Sequence, residues 1–71
     1  MDNLDVCRLS ILAIGQPFET LLTERPGVLV AKHTLGEGEH SYVVDLESSN
    51  NPLYNFRAER RVVHNMLIEP L

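Results

Sequence analysis

The stretch of residues 28–47, VLVAKHTLGEGEHSYVVDLE, decides the fold of this chain. It holds two runs of residues that favour β-strands, at 28–35 and 41–47, on either side of the glycine-rich segment GEGE at 36–39. A turn of two residues and a loop of four residues would pair these runs in the same register. The stretch therefore predicts a β-hairpin over about residues 28–47.

In that register the hairpin has one apolar face, which we expect to be buried, and a second face that is half exposed to water. The pairs that define the register are Leu29 with Leu46, Ala31 with Val44, and His33 with Tyr42. The apolar face consists of Leu29, Ala31, Leu35, Tyr42, Val44 and Leu46. Turn chemistry and hydrophobic pattern agree here, so the hairpin is the foundation of the predicted sheet.

The segment before the hairpin predicts one further strand and one short helix. Apolar residues alternate with polar ones from Cys7 to Ala13, which favours a strand that ends at Gly15. Residues 17–24 predict two helical turns, because Pro17 suits the first helical position and Glu19 suits the positive end of the helix dipole. The sequence RPG at 25–27 ends that helix.

The tail allows two interpretations. A helix could start with Asn51 as its cap, but Arg60 would then fall within its apolar stripe. We prefer a turn or helical turn over 52–58, followed by a strand over about 61–69 that places Val62, Met66 and Ile68 on one face with His64. The chain 1–71 is thus predicted to be a single α+β domain. Its small antiparallel sheet is the hairpin with one or two further strands, accompanied by one short helix.

Composition places the chain among soluble proteins of a reducing compartment. It has a single cysteine, Cys7, no visible secretory signal, and no apolar run near the roughly 18 residues of a membrane span. We therefore expect a cytoplasmic protein without a membrane partner.

The net charge is −4 and unevenly distributed, because residues 1–49 carry eight acidic and three basic side chains, whereas residues 50–71 carry two acidic and three basic ones. Such an acidic body favours basic protein surfaces over nucleic acid.

The residues that could carry chemistry are scattered. The possible metal ligands are Cys7, His33, His40 and His64, and the nearest two lie seven positions apart, unlike the close pairs of zinc sites. Cys7 or Ser10 could be combined with His64 as a nucleophile and base, but no spacing supports that set. We expect no metal, no other cofactor and no enzymatic activity.

The segment 54–61 is the one stretch that predicts a binding surface. It combines two aromatic residues with three arginines, and these types are enriched at binding hot spots. The predicted partner-binding residues are Tyr54, Phe56, Arg57, Arg60 and Arg61. An alternative is single-stranded nucleic acid, which aromatic rings stack on and arginines hold. The plain structural alternative is that the aromatics complete a small core and the arginines form a solvated face.

From MDNLDVC at residues 1–7, through GEGE at 36–39, to the arginine-rich tail, the chain resembles a small transcription regulator of lytic bacteriophages. Such regulators bind the RNA polymerase of the bacterial host. The resemblance implies an inhibitor that contacts the large polymerase subunits, interferes with σ factor at promoters, and can also act in antitermination. It implies contact with nucleic acid only indirectly, through the polymerase.

Overall fold

The computed structural model describes residues 7–49, 52–53 and 55–71. Six strands form one sheet, in the order β1-β6-β2-β3-β4-β5, and every described pairing is antiparallel. The strands are β1 (Cys7–Arg8), β2 (Pro17–Thr20), β3 (Pro26–Gly36), β4 (Glu39–Leu46), β5 (Glu59–Val63) and β6 (Leu67–Pro70). The only helical element in the described ranges is a 3-10 turn at Leu9–Ile11. The fold is therefore mostly β, and the α+β prediction is wrong in its helical part.

The predicted hairpin is confirmed as β3 and β4. The two strands are joined at Glu37–Gly38, where Gly38 has a φ of +75°, a conformation that glycine adopts without strain. Gly36 pairs with Glu39 as predicted, but the register then shifts twice, and Leu29 lies opposite Val44 rather than Leu46. Each shift of one residue exchanges the two faces of the sheet relative to the partner strand, so two shifts restore the predicted pairing of faces. Leu29 therefore shares the core face with Val44 and Leu46, as predicted.

The register shifts also decide which predicted core residues are buried. Leu29, Tyr42, Val44 and Leu46 are buried, as the apolar pattern predicted. Leu35 is 59% exposed, so its prediction as a core residue is wrong. It lies next to the register shift between Thr34 and Gly36, near the tip of the hairpin, where no other strand pairs alongside.

The predicted helix over 17–24 is wrong, because Pro17–Thr20 is strand β2. Phe18 and Thr20 are buried while Pro17 is exposed, which is the two-residue period of a strand. Strand β3 pairs on one side of β2 and β6 on the other, so partners distant in sequence override local helix signals. Glu24 has a φ of +53°, which a right-handed helix does not allow.

The predicted strand over 7–13 is shorter than expected. It ends after Arg8, and the chain continues into the 3-10 turn, closed by the Leu12 amide that donates to the Leu9 carbonyl at 3.1 Å. Leu9 and Leu12 are both buried, whereas Ile11 between them is 60% exposed. The burial spacing of three residues fits a 3-10 turn rather than a strand.

The tail contains two strands rather than one. The bend and loop at 64–66 divide the predicted strand 61–69 into the end of β5, which pairs with β4, and β6, which lies between β1 and β2. Val62 is 69% exposed and Ile68 is fully buried, so the predicted common face is wrong. The described parts of 52–58 are turn and irregular structure, in agreement with the preferred reading of that stretch.

The short link between β5 and β6 shows that the sheet is strongly curled. Only residues 64–66 join the two strands, and a chain of that length spans at most about 14 Å. On a flat sheet, strands separated by four strand spacings would lie about 19 Å apart. The core lies within the curl and comprises Leu9, Leu12, Phe18, Leu29, Tyr42, Val44, Leu46 and Ile68.

Candidate partner-binding surface

A buried arginine in the turn between β2 and β3 organises the surface around the predicted binding segment. Arg25 is only 2% exposed. Its backbone amide donates to Thr20 Oγ1 at 2.9 Å, and its carbonyl accepts from the Thr20 amide at 2.9 Å. The Thr20 hydroxyl also bonds the Thr23 hydroxyl at 2.8 Å. These contacts fix the turn, and with it the direction of the Arg25 side chain.

The Arg25 guanidinium binds both ends of the connection between β4 and β5. Its Nε donates to the Glu47 carbonyl at 3.0 Å, and its Nη2 donates to the Arg57 carbonyl at 2.6 Å. Its Nη1 donates to Glu59 Oε2 at 3.1 Å, which forms an ion pair. Residues 47–58 are a long link for two neighbouring antiparallel strands, and this side chain connects its two ends beside the Leu46–Glu59 strand pair.

Phe56 covers the same guanidinium. The central carbon of that group lies 4.7 Å from the centroid of the Phe56 ring, which is a cation–π arrangement. Phe56 remains 38% exposed, so it presents part of its surface to solvent while it shields the buried charge. The segment 55–59 is therefore anchored to the body by contacts to Phe56, Arg57 and Glu59.

The structure brings four of the five predicted binding residues into one region, at the start of β5 and just before it. Phe56 and Arg57 lie in the anchored segment, and Arg60 and Arg61 lie in β5. Tyr54 lies outside the described residues. The side chains of Arg57 and Arg61 are exposed and make no hydrogen bond or ion pair with any described residue. These two cations are available to a partner.

Arg60 differs from its neighbours because it is paired across the sheet. Its Nε and Nη2 donate to the two carboxylate oxygens of Asp45 at 2.6 and 3.0 Å. This hydrogen bonding lowers the pKa of Asp45 below its ordinary value and raises the pKa of Arg60. The pair is solvent-exposed, so it neutralises Arg60 as a binding group but contributes little to stability.

An apolar groove of about 280 Å³ lies beside the anchored segment. Its lining includes the buried residues Arg25 and Leu46 and the exposed residue Arg61. Arg61 lies opposite Val44 in the sheet register, which places it on the concave side of the sheet. The lining residues are Thr20, Leu22, Thr23, Arg25, Leu46, Phe56, Arg61, Met66 and Leu67.

The sequence patterns did not indicate Arg25, Leu22, Met66 or Leu67 as site residues. Arg25 contacts acceptors that lie 22 to 34 positions away in sequence, and no local pattern marks such an arginine as buried. Leu22 is 80% exposed, and only its place beside the groove distinguishes it from any other exposed leucine.

A second cavity, of about 440 Å³, lies near the tip of the hairpin and contains several of the chemically interesting residues. Ser10, Glu39, His40 and His64 line it. His64 Nδ1 lies 3.2 Å from the carbonyl of His40, so that ring nitrogen is hydrogen-bonded to backbone. Within the described ranges Ser10 and His64 are not hydrogen-bonded to each other, so they do not form a nucleophile–base pair.

The candidate metal ligands are not gathered into a site in the part of the chain that the structure describes. No group of three or more histidine, cysteine, aspartate or glutamate side chains there could hold a metal ion. His33 pairs with Ser41 on the exposed hairpin.

None of the helices in the described ranges has the length and apolar character needed to cross a membrane.

Comparison of the chain with protein-family models, with curated protein sequences and with solved structures found no match.

Proposed function

We propose that this chain is a regulator of the lytic-bacteriophage type that binds the RNA polymerase of a bacterial host in the host cytoplasm. It would act by contact with the large polymerase subunits, inhibit initiation by displacing σ factor, and have a further action in antitermination. The resemblance supports the identity of the partner. The geometry supports the mode of action, which is binding of a protein surface without chemical transformation of a substrate.

The observation that carries the mode of action is the anchoring of segment 55–59 by Arg25. Two hydrogen bonds, to the Arg57 carbonyl and to the Glu59 carboxylate, and one aromatic contact hold this segment in place. A surface that is ordered before binding loses less conformational entropy on association. Arg57 within the segment and Arg61 just after it carry positive charges that no described residue neutralises. Arginine and aromatic side chains in a fixed arrangement are typical of binding hot spots.

The same contacts weigh against the alternative of a single-stranded nucleic-acid module. Base stacking needs a free aromatic face, and the Arg25 guanidinium already covers one face of Phe56. Asp45 neutralises Arg60, so only two of the three arginines of the segment remain for a phosphate backbone. The net charge of −4 further disfavours a polyanion.

The test is retention of the chain on purified RNA polymerases from several bacterial species at low salt, together with promoter-dependent transcription in vitro. We expect a stable complex and inhibited initiation with the polymerase of the host. The variant Arg57→Glu should weaken the complex by tenfold or more, because it reverses an exposed charge in the anchored segment. The matched control is Lys32→Glu, which makes the same charge change at an exposed position of β3. It loses only one exposed hydrogen bond, to the Ser10 carbonyl.

Retention on none of the polymerases would refute the proposal. Binding that Arg57→Glu and Lys32→Glu weaken equally would show that overall charge, and not this segment, determines the contact.

A further inference from the structure

We infer that the groove beside the anchored segment is a docking site for a partner segment that inserts an apolar side chain and places a carboxylate next to it. The inference rests on the proposed function, because a partner protein must supply this segment. It adds to that function the position of the contact and the chemistry of the occupant.

The size of the groove indicates the scale of the occupant. Its volume of about 280 Å³ falls just below the range of about 300–1,000 Å³ that is typical of clefts for drug-sized ligands. It is open to solvent beside Leu22 and Leu67, which are 80% and 42% exposed. Apolar side chains exposed at the rim of such a depression favour burial under a protein partner. One or two apolar side chains of a peptide segment fit this space.

The charges of the groove indicate the second feature of the occupant. Arg25 is balanced by Glu59, whereas Arg61, which also lines the groove, has no partner among the described residues. No aspartate or glutamate is among the described residues that line the groove. One uncompensated positive charge beside an apolar depression selects a segment with an acidic residue next to its apolar one.

The rim is also held in place before any partner arrives. Ser49 Oγ donates to the Thr23 carbonyl at 2.8 Å, and the Thr20 and Thr23 hydroxyls are bonded at 2.8 Å. Arg25 and Phe56, which also line the groove, are held together by their stacked contact. The groove is therefore formed in the free chain, which reduces the entropic cost of docking.

The first experiment uses a probe that does not depend on polymerase. The probe is a capped five-residue peptide that alternates glutamate and leucine, and it is titrated into the isotope-labelled chain and followed by NMR. We expect saturable shifts of the Thr23 and Arg61 amides and of the Met66 methyl group. A peptide with lysine in place of glutamate and one with alanine in place of leucine should each bind at least fivefold more weakly.

Shifts confined to other parts of the chain, or equal binding of the lysine and glutamate peptides, would overturn the inference. Stronger shifts of the same resonances with oligothymidine than with the glutamate–leucine peptide would also overturn it, in favour of nucleic acid as the occupant.

The second experiment measures the affinity for polymerase of Leu22→Asp and Arg61→Glu, both at exposed positions, so the fold should be retained. Each should weaken binding by tenfold or more. The controls are Leu35→Asp and Lys32→Glu, which make the same chemical changes on the part of β3 towards the hairpin tip.

The two experiments separate the failure of the inference from that of the proposed function. Polymerase binding that neither groove variant weakens would refute the docking site and leave the proposed function standing. Peptide binding in the groove without retention on any polymerase would support the docking site and refute the proposed partner.

Discussion

Replacement of Arg25 by alanine removes the side chain that joins the β2–β3 turn to both ends of the 47–58 connection. The variant loses charged hydrogen bonds to the carbonyls of Glu47 and Arg57, the ion pair with Glu59, and the stack on Phe56. The carbonyl bonds dominate the energy because their donor is 2% exposed. The Glu59 side chain is 43% exposed, so water replaces that half of the ion pair at little cost.

Each carbonyl bond to a buried charged donor contributes at least about 1.5 kcal/mol, and the stack contributes about 0.5–1 kcal/mol. Ordering the arginine side chain in the folded state costs about 1.5 kcal/mol of conformational entropy, and alanine has no such cost. This difference offsets part of the stability that Arg25→Ala loses. The expected net loss is about 2–3 kcal/mol. A chain of 71 residues has a free energy of unfolding of about 4–11 kcal/mol, so this loss is a large share of the total.

The assay is urea unfolding followed by circular dichroism. With a slope of about 1 kcal/mol per molar urea, Arg25→Ala should lower the midpoint by about 2–3 M. Arg25→Lys keeps the charge, but an ammonium group cannot reach three acceptors in one plane. Its free energy of unfolding should therefore fall by about half as much as that of Arg25→Ala. If Arg25→Ala is already unfolded without urea, the unfolding transition is measured on Arg25→Lys instead. The matched control is Arg61→Ala, an exposed arginine without internal partners, which should change stability by less than about 0.5 kcal/mol. Equal midpoints for Arg25→Ala and Arg61→Ala would refute the account of Arg25 as an anchor.

Two further changes test the packing and the charge pair of the sheet. Gly27→Ala should lower the melting temperature by about 10 °C, because a Cβ atom there would lie 2.7 Å from Phe18 Cζ and 2.9 Å from Leu46 Cδ2, both in the buried core. The control is Gly36→Ala, whose Cβ atom would meet only the flexible Glu39 carboxylate, at 3.3 Å. An equal loss of melting temperature in both variants would contradict the packing argument. Because Arg60 lowers the pKa of folded Asp45, the contribution of this pair to stability is complete above the ordinary pKa of 3.8 and is lost as the pH falls through the lowered value. Stability measured from pH 5 to pH 2 should therefore fall less steeply in Asp45→Asn than in the natural chain, and identical slopes would show that the pair has no such effect.

The hairpin could be predicted from the sequence because its signals are local. The GEGE turn and the flanking β-formers lie within 20 residues, and they agree with each other. The register could not be predicted in full, because the two shifts between Leu29 and Gly36 depend on how the strands bend into the curl of the sheet. Leu35, which the apolar pattern placed in the core, therefore lies outside it.

Strand β2 shows the limit of local signals. Pro17 and Glu19 suit a helix start, yet Phe18 and Thr20 take strand positions because β3 and β6 supply hydrogen-bond partners on both sides. Gly27 shows the same limit. The pair Pro26-Gly27 indicates a turn, whereas the glycine lies inside β3 and allows the close approach of Phe18.

The exposure of residues 55–61 fits their arginine-rich composition, and the binding role of segment 54–61 stays a prediction. Its arrangement could not be predicted. Asp45 neutralises Arg60 across the sheet, while Arg61 next to it is unpaired, and only the strand register distinguishes the two. The anchor, Arg25, depends on contacts across 22 to 34 residues, which the fold must first bring together.

The position of β6 between β1 and β2 has a consequence for how the protein is made. During translation, β1 has no partner and β2 has one open edge until residues 67–70 have left the ribosome. The hairpin leaves the ribosome before β6 and can form first, but the sheet cannot close until β6 is free. A chain truncated before residue 67 should therefore be protease-sensitive, whereas the released chain that includes residues 67–70 should be resistant.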